Sequence, residues 1–195
     1  MRVAVLAVQG AFLEHEKMLD RLGVDYVELR KKEDLKQSYD GIILPGGEST
    51  VQGKLIRELG FYDTLKEQIQ SGMPVLATCA GLILLAKKVE NDDHSHFATL
   101  PVTVKRNAYG RQLGSFYKED TFEGVGEVPM TFIRAPYITK VKENVTILAK
   151  DKDFITAVCY KNQLAMSFHP ELDEDTRIHQ KFVKMVEKYI VQRAS

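Results

Sequence analysis

The first 88 residues alternate short apolar runs with stretches in which apolar side chains recur every three or four positions. A short apolar run bounded by turn residues predicts a buried strand, whereas the longer period predicts an amphipathic helix. Strands that alternate with helices form a parallel sheet with helices on both faces, because parallel neighbours need a crossover connection. The runs predict strands at 2–8, 24–29, 41–44 and 75–77, and helices at 11–22, from about Thr50, at 62–70 and at 80–88.

The pattern changes after residue 97, where short strand-like runs follow one another without helical stretches. They predict strands at 99–105, 112–116, 131–134, 146–149, 154–160 and 163–168, with a hairpin turn at Lys161-Asn162. A last apolar stripe at helical spacing, from Ile178 to Ile190, predicts a helix that packs on the sheet. The predicted fold class is therefore α/β, with a doubly wound, mostly parallel sheet and extra antiparallel strands in the second half.

Composition narrows the class of protein. The 195 residues suit one domain, 1–195, and the 44% apolar content with zero net charge excludes disorder as the main state. The 27 basic and 27 acidic residues give no basic footprint for nucleic acid, and no apolar run approaches the roughly 18 residues of a membrane span. The apolar Val3–Val8 is better read as a strand than as part of a signal peptide. Two cysteines make no disulfide framework, so we expect a cytoplasmic protein.

Three of the predicted strands end in residues able to carry chemistry. The first ends at Gln9-Gly10, the third at 45–49 and the fourth at 78–81. Because ligands of open parallel sheets bind outside the carboxyl ends of the strands, we expect these segments to meet at one edge.

Cys79 lies between a predicted strand and a predicted apolar helix, with small residues on both sides. This is the pattern of a nucleophile elbow, in which a sharp turn projects the side chain above the sheet. The helix N-terminus favours the thiolate and its N–H groups can receive an oxyanion. The alternative is a buried structural cysteine, which is our interpretation of Cys159.

A cysteine nucleophile needs a histidine base and a carboxylate that orients it. His169 follows a predicted strand, and Glu171 lies two residues on, on the same side of an extended segment. His15 is expected to be packed or partly exposed on the first helix, and His179 lies inside the last. His94 and His96 form an H-x-H pair that is weak as a metal site and more typical of a polar loop.

Two further features fit a site for an amide substrate. The pair Gly46-Gly47 permits a close backbone approach that can present an N–H to an oxyanion. Arg106 and Arg134 are candidate clamps for a carboxylate, although each alone is more typical of a solvated surface charge.

Together these pieces resemble the class I glutamine amidotransferases, which have a flavodoxin-like sheet. Within them the chain is similar to the glutaminase subunits of pyridoxal 5'-phosphate synthases. The similarity rests on six segments between residues 8 and 172: Val8-Gln9-Gly10-Ala11-Phe12 followed by Glu14-His15, Leu44-Pro45-Gly46-Gly47-Glu48-Ser49-Thr50, Thr78-Cys79-Ala80-Gly81-Leu82, Arg106-Asn107-Ala108-Tyr109-Gly110-Arg111-Gln112, Phe132-Ile133-Arg134-Ala135-Pro136 and His169-Pro170-Glu171-Leu172.

The resemblance implies that Cys79 attacks the side-chain amide of L-glutamine while His169, oriented by Glu171, moves protons. It implies an oxyanion hole made by the backbone N–H groups of Gly47 and Ala80. The residues implied to bind glutamine are Gly47, Glu48, Ser49, Arg106, Ile133 and Arg134.

It further implies that ammonia passes to a separate synthase subunit, which would dock near Gln9-Gly10, and that this chain holds no metal or cofactor. One residue departs from the family pattern, because Ala77 stands where the elbow usually has glycine.

Two other functions remain open, namely a cysteine hydrolase or peptidase of the same fold and a degenerate regulatory subunit. The first would not need the clamp for a free amino acid, and the second would be favoured if a triad member were missing.

Overall fold

The computed structural model describes residues 1–106 and 114–194. Its large sheet has the order β2-β1-β3-β4-β12-β11-β9-β6-β5, with β10 paired to β11, and β7 and β8 form a separate hairpin. The strands are β1 Arg2–Leu6, β2 Asp25–Leu29, β3 Gly41–Leu44, β4 Val75–Thr78, β5 Ala86–Val89, β6 Leu100–Lys105, β7 Ser115–Phe122, β8 Gly126–Ile133, β9 Tyr137–Val141, β10 Thr146–Asp151, β11 Phe154–Tyr160 and β12 Gln163–Met166. The helices are α1 Phe12–Arg21, α2 Ser49–Glu58, α3 Tyr62–Gln70, α4 Ala80–Leu85 and α5 Arg177–Ala194.

The predicted fold class is confirmed. Strands β2, β1, β3, β4 and β12 are mutually parallel, and the antiparallel pairs involve strands of the second half. The central strands β3, β4 and β12 are buried along their whole length, as expected for strands covered on both faces. The hairpin predicted at Lys161-Asn162 joins β11 to β12, with Tyr160 opposite Gln163.

Several predicted boundaries are wrong. The helix expected at 80–88 ends at Leu85, and residues 86–89 form β5, which pairs with β6. Strand β7 begins at Ser115 and runs to Phe122 instead of ending at 116, while positions 112 and 113 of that prediction lie outside the described residues. Strand β8 begins five residues earlier than expected, at Gly126, and β9 was not predicted.

Two apolar clusters lie on the two faces of the large sheet. One contains Phe61 and Phe97 with the helices α2, α3 and α4, and the other contains Phe168 and Phe182 with α1, α5 and the β7–β8 hairpin. No helix in the described ranges is both long and apolar enough to cross a membrane. Both faces of the sheet are therefore packed, and this packing fixes the positions of the strand ends.

Candidate active site

Cys79 occupies a strained turn between β4 and α4. Its backbone has φ 47° and ψ −99°, a combination rarely adopted by a residue with a side chain. Its N–H donates to the carbonyl of Met166 at 2.8 Å, which ties the turn to β12. Its Sγ lies 3.9 Å from the carbonyl oxygen of Ile133. Such strain costs about 1–3 kcal/mol and clusters at functional sites, as expected for a nucleophile elbow.

Small residues make this turn possible. A Cβ on Gly81 would lie 2.1 Å from the carbonyl oxygen of Leu44, so α4 can approach β3 only because residue 81 is glycine. Ala77 is fully buried in β4 between Leu44 and Ala165. The methyl group of Ala77 is therefore accommodated in the core, and the turn at Cys79 forms without the glycine that the family pattern usually has there.

His169 and Glu171 form a buried pair. The Nδ1 atom of His169 lies 2.7 Å from Oε1 of Glu171, and the two residues are 6% and 4% exposed. The contact arises from a geometry different from the one expected. Residues 170–172 form a short 3₁₀ turn that Pro170 begins, so the segment is not extended. The His169 N–H donates to Thr131 at 2.8 Å, which attaches this turn to β8.

Charges around His169 favour its protonated form. Burial by itself lowers the pKa of His169, but its hydrogen bonds to Cys79 and Glu171 and the negative charges of both groups raise that pKa to about 10. Burial likewise raises the pKa of Glu171, yet His15 and His169 outweigh it and hold that pKa well below its usual range. His169 is therefore held in its protonated form, and an imidazolium next to a cysteine is the arrangement that can activate the sulfur as a nucleophile.

The loop after β3 contacts both the imidazole and the loop after β1. A Cβ on Gly46 would lie 2.2 Å from Cε1 of His169, and one on Gly47 would lie 2.4 Å from Oε1 of Gln9. The Gly46 carbonyl accepts from the N–H of Ala11 at 2.9 Å, and the Glu48 N–H donates to Oε1 of Gln9 at 2.9 Å. The three strand ends therefore converge at one edge, as predicted.

Four of the residues expected to bind substrate are exposed at the surface. Gly47, Glu48, Ile133 and Arg134 are exposed, and the Ile133 carbonyl lies 3.9 Å from Sγ of Cys79. Arg134 has φ 43°, a second strained backbone at the site. These four residues are therefore accessible to a small polar ligand, as a binding role requires.

The other two predicted binding residues are placed differently. Ser49 is buried at the start of α2. Arg106 forms an ion pair with Asp92, whose Oδ2 lies 2.9 Å from Nη1, and its buried Nε has no partner within the described ranges. The motif residues 107–112 that follow Arg106 lie outside the described part of the chain. The carboxylate clamp at Arg106 therefore stays a prediction.

Sequence reasoning missed two buried histidines beside the His169–Glu171 pair. His15 is fully buried, with Nε2 3.1 Å from Oγ1 of Thr78 and 3.5 Å from Oε1 of Glu171. His179, also fully buried, places Nε2 2.9 Å from Nδ1 of His15. The available signal was the position of each histidine within an apolar helical stripe, where a polar ring must find a buried partner.

The remaining histidines and the second cysteine lie elsewhere. His94 is exposed and contacts Asp92, while His96 packs against Gly53 of α2. Across 1–106 and 114–194, no group of three or more histidine, cysteine or acidic side chains is arranged to hold a metal ion. Cys159 is half-buried in β11, and burial raises the pKa of its thiol.

Comparisons with known proteins agree with this geometry. Residues 5–188 match the model of the SNO glutamine amidotransferase family. Pyridoxal 5'-phosphate synthase subunit PdxT from Desulfitobacterium hafniense (strain Y51) is 64% identical over 186 residues, covering 95% of this chain and 94% of that protein. The subunit of the same name from Methanocorpusculum labreanum is 54% identical, covering 95% and 98%.

A crystal structure of a glutamine amidotransferase superposes with a TM-score of 0.90 at 42% identity, covering 95% of this chain and 98% of that one. The family match extends over nearly the whole chain and includes every residue of the convergent strand ends. This chain belongs to the SNO glutamine amidotransferase family.

Proposed function

We propose that this chain, acting as one domain over residues 1–195, is the glutaminase subunit of a pyridoxal 5'-phosphate synthase. It hydrolyses L-glutamine to L-glutamate and ammonia, and the ammonia passes to a separate synthase subunit. The relatives named as synthase subunits support the assembly. The observation that carries the chemistry is the strained Cys79 beside the buried His169–Glu171 pair.

In the first half of the reaction, the Cys79 thiolate attacks the side-chain carbonyl carbon of glutamine. The oxygen becomes an oxyanion that the N–H groups of Gly47 and Ala80 receive. Ala80 suits this role because it is the first residue of α4, where the N–H groups have no partner within the helix. The His169 imidazolium then gives its proton to the amide nitrogen, so that ammonia leaves and a γ-glutamyl thioester remains.

In the second half, water attacks the thioester. Forming the thioester removes the negative charge on sulfur, and that charge is one cause of the raised pKa of His169. The imidazole can then accept a proton from the attacking water, while Glu171 continues to orient the ring. Glutamate leaves and the protonated imidazole again faces the thiolate.

The α-amino and α-carboxylate groups of glutamine would be held by Glu48, Ser49, Arg106, Ile133 and Arg134. The α-amino and α-carboxylate groups carry opposite charges, so a site that binds both needs an anion and a cation. This set offers a carboxylate and two guanidinium groups. The exposure of Glu48 and Arg134 supports this role, as does the contact of Cys79 Sγ with the carbonyl of Ile133, the residue before Arg134. A peptidase of the same fold would not need such a clamp.

The experiment is to measure glutamate release from L-glutamine by the chain with and without its cognate synthase subunit. We expect the synthase subunit to stimulate the rate, and Cys79→Ala to abolish it while the circular dichroism spectrum stays unchanged. Cys159→Ala, which replaces the thiol outside the site, is the matched control and should keep the wild-type rate. Full activity of Cys79→Ala would reject the proposal.

A further inference from the structure

The described hydrogen-bond partners of the Glu171 carboxylate all contact one of its two oxygens. Oε1 of Glu171 is contacted by His169 Nδ1 at 2.7 Å, by the Thr78 hydroxyl at 3.3 Å and by His15 Nε2 at 3.5 Å. Oε2 is buried and has no hydrogen-bond partner among the residues that the structure describes. A buried carboxylate depends strongly on its few partners, so each contact at Oε1 affects where the carboxylate lies.

The Thr78 hydroxyl determines where the proton of His15 lies. A hydroxyl has one hydrogen to donate and two lone pairs that accept. Thr78 donates to Glu171 and accepts from the N–H of Gly46 at 3.0 Å. Its second lone pair faces His15 Nε2 at 3.1 Å, so Nε2 must carry a hydrogen and donate it.

His179 completes this direction of donation. Burial lowers the pKa of His179 to about 3, so its ring is neutral and has a single N–H. If that hydrogen is on Nε2, His179 donates it to Nδ1 of His15. The other ring nitrogen of His179, Nδ1, is then an acceptor, and it is the atom that has no partner in the described residues. The opposite placement would leave a buried N–H without an acceptor, which is the rarer arrangement.

The hydrogens therefore all point toward the carboxylate, from His179 to His15, from His15 to Thr78 and from Thr78 to Glu171. We propose that His15, held in its orientation by His179, is a positioning residue that keeps the Glu171 carboxylate against His169. The inference rests on the proposed triad and extends it by two histidines from α1 and α5. Through the N–H of Gly46, the same Thr78 hydroxyl also connects the carboxylate to the loop of the oxyanion hole.

The test compares His15→Leu and His15→Gln in the complex with the synthase subunit. His15→Leu removes the donor, and a misplaced catalytic group of this kind costs about 10- to 100-fold in kcat. We expect the KM for glutamine to change by less than about threefold, because His15 is fully buried and is not one of the residues expected to bind glutamine. The side-chain amide in His15→Gln can donate a hydrogen from the place of Nε2–H. We therefore expect its kcat to be about tenfold higher than that of His15→Leu.

Two more variants separate positioning from a general loss of structure. His179→Leu removes the donor to His15 Nδ1, and we expect a smaller fall of kcat in the same direction. His94→Leu makes the same substitution at the exposed histidine outside the triad and should leave kcat unchanged. If His15→Leu does not fold, His15→Gln and His179→Leu still decide the question.

A readout that does not depend on turnover is the proton resonance of His169 Nδ1–H, which the carboxylate shifts downfield. We expect this resonance to move upfield or broaden in His15→Leu, and to stay in place in His15→Gln and His94→Leu. Wild-type kcat with an unchanged resonance in His15→Leu would overturn the inference. If instead the wild-type complex shows no Cys79-dependent glutamate release, the proposed function fails, and the resonance still reports whether His15 positions Glu171.

Discussion

At the scale of single residues, the site depends on two glycines, because a side chain at either position would collide with a neighbouring group. The ring of His169 occupies the space where a Cβ of residue 46 would lie, and α4 approaches β3 through the space of a Cβ on Gly81. Neither glycine has a positive φ, so the close approach and not the backbone conformation requires glycine here. Gly46 thus makes room for the imidazole, beside the role in presenting an N–H that we propose for Gly47.

Gly46→Ala should inactivate the enzyme while the fold is kept. The new Cβ would lie 2.2 Å from Cε1 of His169, so the ring must move away from Cys79. A displacement of about 1 Å can cost on the order of 100-fold in rate, and we expect at least that loss in kcat.

The matched control is Gly53→Ala, whose Cβ would lie 2.0 Å from Cε1 of His96. It produces the same collision with an imidazole that is not part of the triad. We expect a lower thermal midpoint and a kcat within about threefold of wild type. Equal losses of kcat in both variants would show that the collision acts through stability alone.

At the scale of elements, helices α1 and α5 bring His15 and His179 into contact. They pack on the same face of the sheet, and the two histidines meet although 164 positions separate them in the chain. Each histidine taken alone fits an ordinary amphipathic helix. Their contact could not be predicted, because it depends on how two distant helices cross the sheet.

His179 makes the stability of the fold depend on pH. Burial lowers its pKa to about 3, against the opposing charge of Glu171, whereas an unfolded histidine titrates near its usual 6.5. Between these values the unfolded state binds a proton that the folded state does not bind. The free energy of unfolding should therefore fall as the pH falls from about 6.5 to 3, by about 1.4 kcal/mol per pH unit.

Urea unfolding of wild type and His179→Leu at pH 4, 5 and 6 measures this contribution. The curve of free energy against pH should be less steep in the variant by about the amount of one proton. The variant also removes the contact to His15, so the difference reports His179 together with that contact. Parallel curves would contradict the assignment of a neutral, buried His179.

The elements that were mispredicted share a physical cause. Residues 80–89 are apolar enough for one helix, but β6 offers a strand edge, and pairing with it turns Ala86–Val89 into β5. In β7, Lys118 and Asp120 lie on the same half-buried face as Phe116, and Lys118 pairs with Asp120 and Asp151, so charged residues interrupt the apolar pattern on which the prediction depends. Strand pairing across the fold decided both cases.

At the scale of the whole molecule, the loops after β1 and β3 form one hydrogen-bonded unit. Gln9 accepts from the N–H of Glu48 through Oε1 and from Nε2 of Gln52 through its backbone carbonyl, both at 2.9 Å. Anything that moves residues 9–11 must therefore also move the loop that carries Gly47. This supports the proposal that a synthase subunit docked near Gln9-Gly10 acts on the oxyanion hole.

Gln9→Ala should weaken the response to the synthase subunit. It removes the acceptor for the Glu48 N–H and so releases the loop from residue 9. We expect the stimulated rate of glutamate release to fall by about tenfold, and the rate of the isolated chain to change less. Val51→Ala, an exposed position on α2, is the control. A stimulated rate equal to that of wild type would show that the docked synthase subunit does not act through the hydrogen bond between Gln9 and Glu48.

The sequence by itself determined the parallel sheet, the elbow at Cys79 and the pairing of His169 with Glu171. These follow from short-range patterns, since a strand, a sharp turn and a contact two residues apart need only local information. Tertiary structure alone decided that His15, His179 and Thr78 support Glu171, and that Gly46 faces His169. Those contacts join residues far apart in the chain, and only the packing of helices on the sheet fixes their distances and the hydrogen-bond partners that burial then requires.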